Sequence, residues 1–174
     1  MAVRDLILLG NPTLLECSAE VTRRKLDSAL ETARDLRDTL HSFRSARNWG
    51  RAISSPQIGV LKKVIYLEID QPEVFINPVL SDLSEGMVEI WDDCLSFPDL
   101  LVKVSRHRSC RISYRNADWK KVSRVVEGAE SELLQHEVDH LNGIVATMRA
   151  VDGSQFALQS QREFLGDGGF ANVI

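Results

Sequence analysis

Apolar positions early in the chain recur at spacings of three and four: Leu26, Leu30, Ala33, Leu36, Leu40 and Phe43. That period predicts an amphipathic helix from Arg23 to Ala46, with charged residues on its other face and Thr22 as its cap. His41 falls on this helix and reads as a surface or structural residue. The pattern then changes. Short runs at Lys63–Ile69, Val74–Leu80, Gly86–Trp91, Leu101–Ser105, Cys110–Arg115 and Lys120–Val126 each predict a strand. Pro72 marks a turn, Pro78 a strand end or edge, and Asn116-Ala117-Asp118 a hairpin connection. A helix is expected from Glu127 to Gly143, and another over Asp152–Leu165, broken by the tail Gly166-Asp167-Gly168-Gly169. Leu6–Leu9 is a short apolar segment ending in a turn at Gly10-Asn11-Pro12, and Trp49–Gly59 has the composition of a connector. Strands before the main helix predict an α+β fold: antiparallel or mixed sheets packed around that helix, with an N-terminal amphipathic helix and a C-terminal one. A length of 174 residues suits a single domain spanning 1–174.

Composition narrows the class. Hydrophobic content of 44% and charged content of 26% are those of a globular protein, and a net charge of -4 argues against nucleic acid or an anionic membrane as partner. The opening Met1–Leu9 is too short and too early interrupted by charge for a signal peptide, and three widely spaced cysteines without a CxxC read as reduced thiols. A cytoplasmic location is therefore expected. Cys17 and Cys110 read as small buried hydrophobes.

The chemistry concentrates in the late helix, at Gln135-His136-Glu137-Val138-Asp139-His140. Histidines four residues apart share a helix face, so both imidazoles can reach one metal ion, and Glu137 can reach a water beside it without being a ligand. Such a site needs a further protein ligand and an open position. The pattern His-Glu-x-x-His-x-x-Gly-x-x-His holds as far as Gly143 and fails at Ala146. A glutamate from a later helix would have to be Glu163. Cys94, where the chain leaves a predicted strand, is the better candidate. Asp92 and Asp93 would hinder a free thiolate there, whereas a divalent cation welcomes them.

These residues resemble the peptide deformylase family, whose members remove the N-formyl group from the starting methionine of new proteins. Gln135 to Gly143 matches the QHExDHLxG motif in full. Asp92-Asp93-Cys94-Leu95-Ser96 is similar to EGCLS, and Gly50 to Gln57 to GxGLAAxQ, keeping the first glycine and the glutamine. The resemblance implies that Cys94, His136 and His140 hold one divalent metal, Fe(2+) as the expected state with Zn(2+) or Ni(2+) in substitution. It further implies Glu137 as the proton carrier, with the Gln57 side chain and the Leu95 backbone N–H stabilising the oxyanion. Asp92, Asp139 and Arg106 would support the ligands from behind, with Arg106 on Asp92. The partner implied is an N-formylated peptide, including chains emerging from the ribosome, or a small N-formyl compound; a monomer is expected.

The departures from the family lie around the substrate. Gly50, Arg51, Ile90, Ala129, Glu132 and Leu133 are the positions the resemblance places at the first substrate side chain. There Arg51 replaces an apolar residue, and Gly128-Ala129-Glu130-Ser131 replaces Gly-Leu-Leu-Ala. Ala129 widens the pocket, and Arg51 paired with Glu132 would make it polar. Two alternatives stand beside the general deformylase: a specialised enzyme acting on a different N-formyl substrate, and a metal-retaining binding protein without turnover.

Overall fold

A computed structural model describes residues 2–166. Helix α1, Leu26–Arg47, follows a 3-10 turn at Arg23–Lys25, so the α-helix starts three residues after the expected position and Thr22 makes no side-chain cap bond. Its buried face carries Ala29, Ala33, Leu36 and Leu40 together with Thr32, Asp35 and Thr39. The polar members are satisfied where they stand: Thr32 and Thr39 donate to the carbonyls of Ser28 and Asp35, and the Asp35 carboxylate accepts from Arg4. Asn48 closes the helix in the left-handed conformation, φ 61°, after Arg44 and Arg47 at the negative end of its dipole.

All six expected strands form: β2 (Val64–Glu68), β3 (Pro72–Ser81), β4 (Met87–Asp92), β5 (Leu100–His107), β6 (Ser109–Arg115) and β7 (Lys121–Glu127). Two short ones join them, β1 (Ala52–Ser54) and β8 (Phe156–Leu158). They build two antiparallel sheets, ordered β1-β2-β3-β6-β7 and β4-β5-β8. Alternation along β2 decides the layering. Val64 and Tyr66 pack with Leu36 and Leu40 of α1, while Ile65 and Leu67 pack with Leu133, Leu134 and Leu141 of α2 (Gly128–Leu141). Helix α2 thus lies between the larger sheet and the smaller one, and ten of its fourteen residues are buried. Gly143 ends it at φ 72°, where a Cβ would stand 2.5 Å from the Leu15 carbonyl oxygen. Among the described residues no helix is long and apolar enough to cross a membrane.

Several expectations need correction. Trp49–Gly59 is not a mere connector: Ala52–Ser54 pairs with Leu67–Ile65 of β2, Ser55–Ile58 forms a 3-10 turn, and residues 52–58 are all buried. Small side chains there permit close packing rather than looseness. Asp152–Leu165 is a helix only in its second part, the 3-10 segment Gln159–Phe164; Phe156–Leu158 pairs instead with Val102–Leu100 of β5. Of the expected tail, residues 167–169 lie outside the described residues. Pro78 sits within an interior strand, not at an end or edge. The β3–β6 register shifts there, between Ile76 and Val79, so the missing N–H does not break a regular ladder. Neighbouring Asn77, φ 52°, uses its side-chain amide to bond both the N–H and the carbonyl of Val21. Cys17 is exposed, its thiol donating to the Asn142 carbonyl; Cys110 is buried as expected.

Candidate metal centre

The helical period of α2 places Glu132, His136 and His140 one above another, and Leu133 and Glu137 along the next row. Beyond β4 the chain turns at Cys94, bringing its thiol to the same face. Cys94 Sγ is 3.2 Å from His140 Nε2, and the two Nε2 atoms are 3.1 Å apart. All three side chains are buried, and their ligand atoms lie within 4.8 Å of one another.

Two of the three ligands, His136 and Cys94, are backed from outside. His136 Nδ1 sits 2.9 Å from Asp92 Oδ2, which also accepts from Arg106 Nη2 at 3.0 Å. Burial opposes the charge on Asp92, yet His136 and Arg106 hold its carboxyl well below the usual range. Burial, reinforced by His136, holds His140 well below the ordinary histidine value, so it is a neutral imidazole. His140 Nδ1 is buried without a partner, leaving Nε2, on the cluster side, as its one point of attachment. A thiol and two imidazoles converging at these distances, one imidazole neutral and the other braced through its far nitrogen, fit a divalent metal of borderline softness. Ser96 N–H points at Cys94 Sγ from 3.4 Å.

Asp139 is placed differently from the expectation that it supports a ligand directly. Its two oxygens take Arg106 Nη1 and Arg149 Nη2, and neither touches an imidazole. Arg106 therefore ties β4, through Asp92, to α2, through Asp139, and it is 3% exposed. Glu163 is exposed on the cleft rim, outside the donor cluster.

Glu137 and Gln57 meet through Ser54, where the family motif GxGLAAxQ has an alanine. Ser54 Oγ donates to Glu137 Oε2 at 2.6 Å and stands 3.2 Å from Gln57 Oε1, while Ser54 N–H donates to that same Oε1 at 2.9 Å. Ser54-Ser55-Pro56-Gln57 carries the Ser-x-x-Gln pattern of a capping box with proline inside the turn, the signal that would have found it. With Oε1 engaged, Gln57 Nε2 is directed at Ser96 Oγ, 3.3 Å, and Cys94 Sγ, 3.5 Å. Burial raises the Glu137 carboxyl, with His136 and Ser54 opposing. Two N-terminal backbone bonds fasten these loops together: Ile7 N–H to the Gln57 carbonyl, 2.8 Å, and Leu9 N–H to the Ser96 carbonyl, 2.9 Å.

The centre opens into a cleft of about 970 Å³. Gly50, Arg51, Ile90, Ala129, Glu132 and Leu133 all line it, alongside Glu137 and Leu95. Gly50 has φ 115°, and a Cβ would press on Leu40 at 3.2 Å. Arg51 Nη2 bonds Glu132 Oε1 at 2.7 Å across the cleft wall. Asp93, on the rim, pairs at 3.3 Å with Arg162 from the C-terminal 3-10 segment.

Residues 3–155 match the family model described as polypeptide deformylase. The chain belongs to that family. It is 32% identical to peptide deformylase 1 of Prochlorococcus marinus (strain MIT 9313), over 95% of this chain and 90% of the relative. It is also 32% identical to the peptide deformylase of Leptospira biflexa, over 83% and 86%. The fold is similar to the crystal structure of peptide deformylase from Thermotoga maritima, with a TM-score of 0.80 and 25% identity, over 87% of this chain and all of that one. The actinonin complex of the Synechococcus elongatus deformylase gives 0.79 and 28%, over 86% and 80%. Peptide deformylases are metal-dependent hydrolases that remove N-formyl groups from nascent peptides, and this chain is such an enzyme.

Proposed function

We propose that Cys94, His136 and His140 hold one divalent metal, iron(II) in the native state and zinc or nickel in substitution, and that Glu137, Gln57 and Leu95 act beside it. The bound metal supplies a Lewis acid that activates water and polarises the formyl oxygen. Glu137 accepts the proton of the attacking water and delivers it to the leaving nitrogen, giving formate and a free amine. Ser54 fixes the carboxylate for both transfers, and burial raises its basicity towards the working range. Gln57 Nε2, aimed by the Ser54 N–H on its Oε1, and the Leu95 N–H donate to the oxygen that gains charge as the carbonyl becomes tetrahedral. Asp92 keeps His136 oriented through Nδ1, while Arg106 and Asp139 hold β4 on α2.

The substrate enters between β1 and β4, both at sheet edges and both contributing to the cleft wall. In this reading the 174 residues work as one domain, as a monomer in the cytoplasm, on the N-terminus of N-formylated peptides. The convergence of Cys94, His136 and His140 next to Glu137 carries the proposal. Protein loaded with iron or nickel without oxygen should release formate from N-formyl peptides. Glu137→Gln should keep its metal and lose roughly 10²- to 10⁴-fold in kcat. Undiminished formate release from that variant would remove Glu137 from the mechanism.

A further inference from the structure

The wall of the cleft nearest the metal centre contains an ion pair that the hydrolysis does not use. Glu132 stands one helical turn before His136 on α2, and Arg51 immediately precedes β1, so their bond ties the start of β1 to α2 in the lining of the cleft. The Glu132 side chain is 7% exposed and that of Arg51 26%. Among the described residues the pair uses one nitrogen and one oxygen, Nη2 and Oε1; Nε and Nη1 of Arg51 and Oε2 of Glu132 have no partner. Ala129, one turn before Leu133, leaves space beside them, and Ile90 and Leu133 supply apolar walls.

A side chain entering this space must answer both a donor and an acceptor. A thioether or hydrocarbon displaces water from the free N–H and carboxylate oxygen and returns no hydrogen bond. A cationic end meets Arg51, and an anionic end meets Glu132. A primary amide suits both, its carbonyl accepting from the guanidinium and its NH2 donating to Oε2. We propose that the Arg51–Glu132 pair is the specificity device of this cleft and selects N-formyl substrates whose first side chain is neutral and ends in an amide, as in formyl-glutamine peptides. The proposal rests on the deformylase reading and names the substrate of that same site.

The test compares kcat/KM for formyl-Gln-Ala-Ser, formyl-Met-Ala-Ser, formyl-Lys-Ala-Ser and formyl-Glu-Ala-Ser on nickel-loaded protein. The glutamine peptide should lead the methionine one by at least about tenfold, the order of a missing polar contact in a site built to make it. The double variant Arg51→Ile/Glu132→Ile should reverse that order. Should it not fold, Glu132→Gln keeps the volume, removes the charge and should cut the glutamine preference severalfold. Equal or better turnover of formyl-Met by the wild type overturns the proposal, as does a preference that survives both substitutions. Absence of formate from every peptide with metal bound overturns the deformylase reading instead. The pocket is then judged by calorimetric binding of the free peptides. Tighter Gln-Ala-Ser than Met-Ala-Ser upholds the amide assignment, and the opposite or equal order sinks it.

Discussion

The two ends of α2 solve different problems with the same helical stripe. Around His136 and His140 the buried charges are answered from within: Asp92 by His136 and Arg106, Asp139 by Arg106 and Arg149. Around Glu132 they are answered once, by Arg51, and among the described residues the pair's remaining polar atoms have no partner. A network in which each carboxylate has two partners holds geometry fixed, although Arg106 Nε and His140 Nδ1 have none, whereas a singly answered pair is available to a ligand. The metal end therefore tolerates little change, because three donors from two elements must converge. The pocket end can change chemistry without moving the backbone.

The largest test of that contrast is Cys94→Ala. It leaves two ligands on one helix and should abolish both metal binding and formate release, read as metal content per chain and kcat. Next comes Arg106→Leu, which takes the shared partner from two buried carboxylates and leaves Asp92 with His136 alone and Asp139 with Arg149 alone. Breaking a buried pair from one side typically costs about 3 to 5 kcal/mol, so a clear drop in denaturant midpoint is expected. A drop no larger than that of a surface substitution would show that the network is not closed. Asp92→Asn should be milder, lowering metal affinity by roughly 10- to 100-fold in a competition with a chelator while the fold survives.

The difference between the two ends also decided what could be read from the residues alone. The ligand set follows from one helical period plus a cysteine at a strand exit, and both are local features. The family motifs then named its chemistry. The Arg51–Glu132 bond spans 81 residues, yet it was anticipated because the resemblance placed both positions at one pocket. The bond from Ser54 to Glu137 is not legible in the sequence because it depends on β1 lying against α2, and a three-residue strand leaves no alternation to detect. Asp139 is expected behind the ligands because sequence shows proximity along the helix but not direction; its carboxylate turns to two arginines from β5 and the segment after α2. β8 was read as helix because its pairing partner, β5, lies some fifty residues away.

The smallest expected effect separates the two ends by the sign of their carboxylates. Burial pushes the Glu132 carboxyl up to about 7, Asp92 adds to the rise, and Arg51 opposes it. Asp92, equally buried, moves the other way because burial is outweighed by His136 and Arg106. A carboxyl raised on folding binds its proton more tightly in the native chain than in the unfolded one. Its contribution is complete below the ordinary 4.5 and is lost as pH rises through about 7. The metal-loaded wild type should therefore lose melting temperature relative to Glu132→Gln between pH 6 and pH 8, by a few degrees at roughly 2 to 4 °C per kcal/mol. Parallel curves would mean that Arg51 keeps Glu132 ionised throughout. The two ends would then differ in how many partners surround each carboxylate and not in its charge near neutral pH.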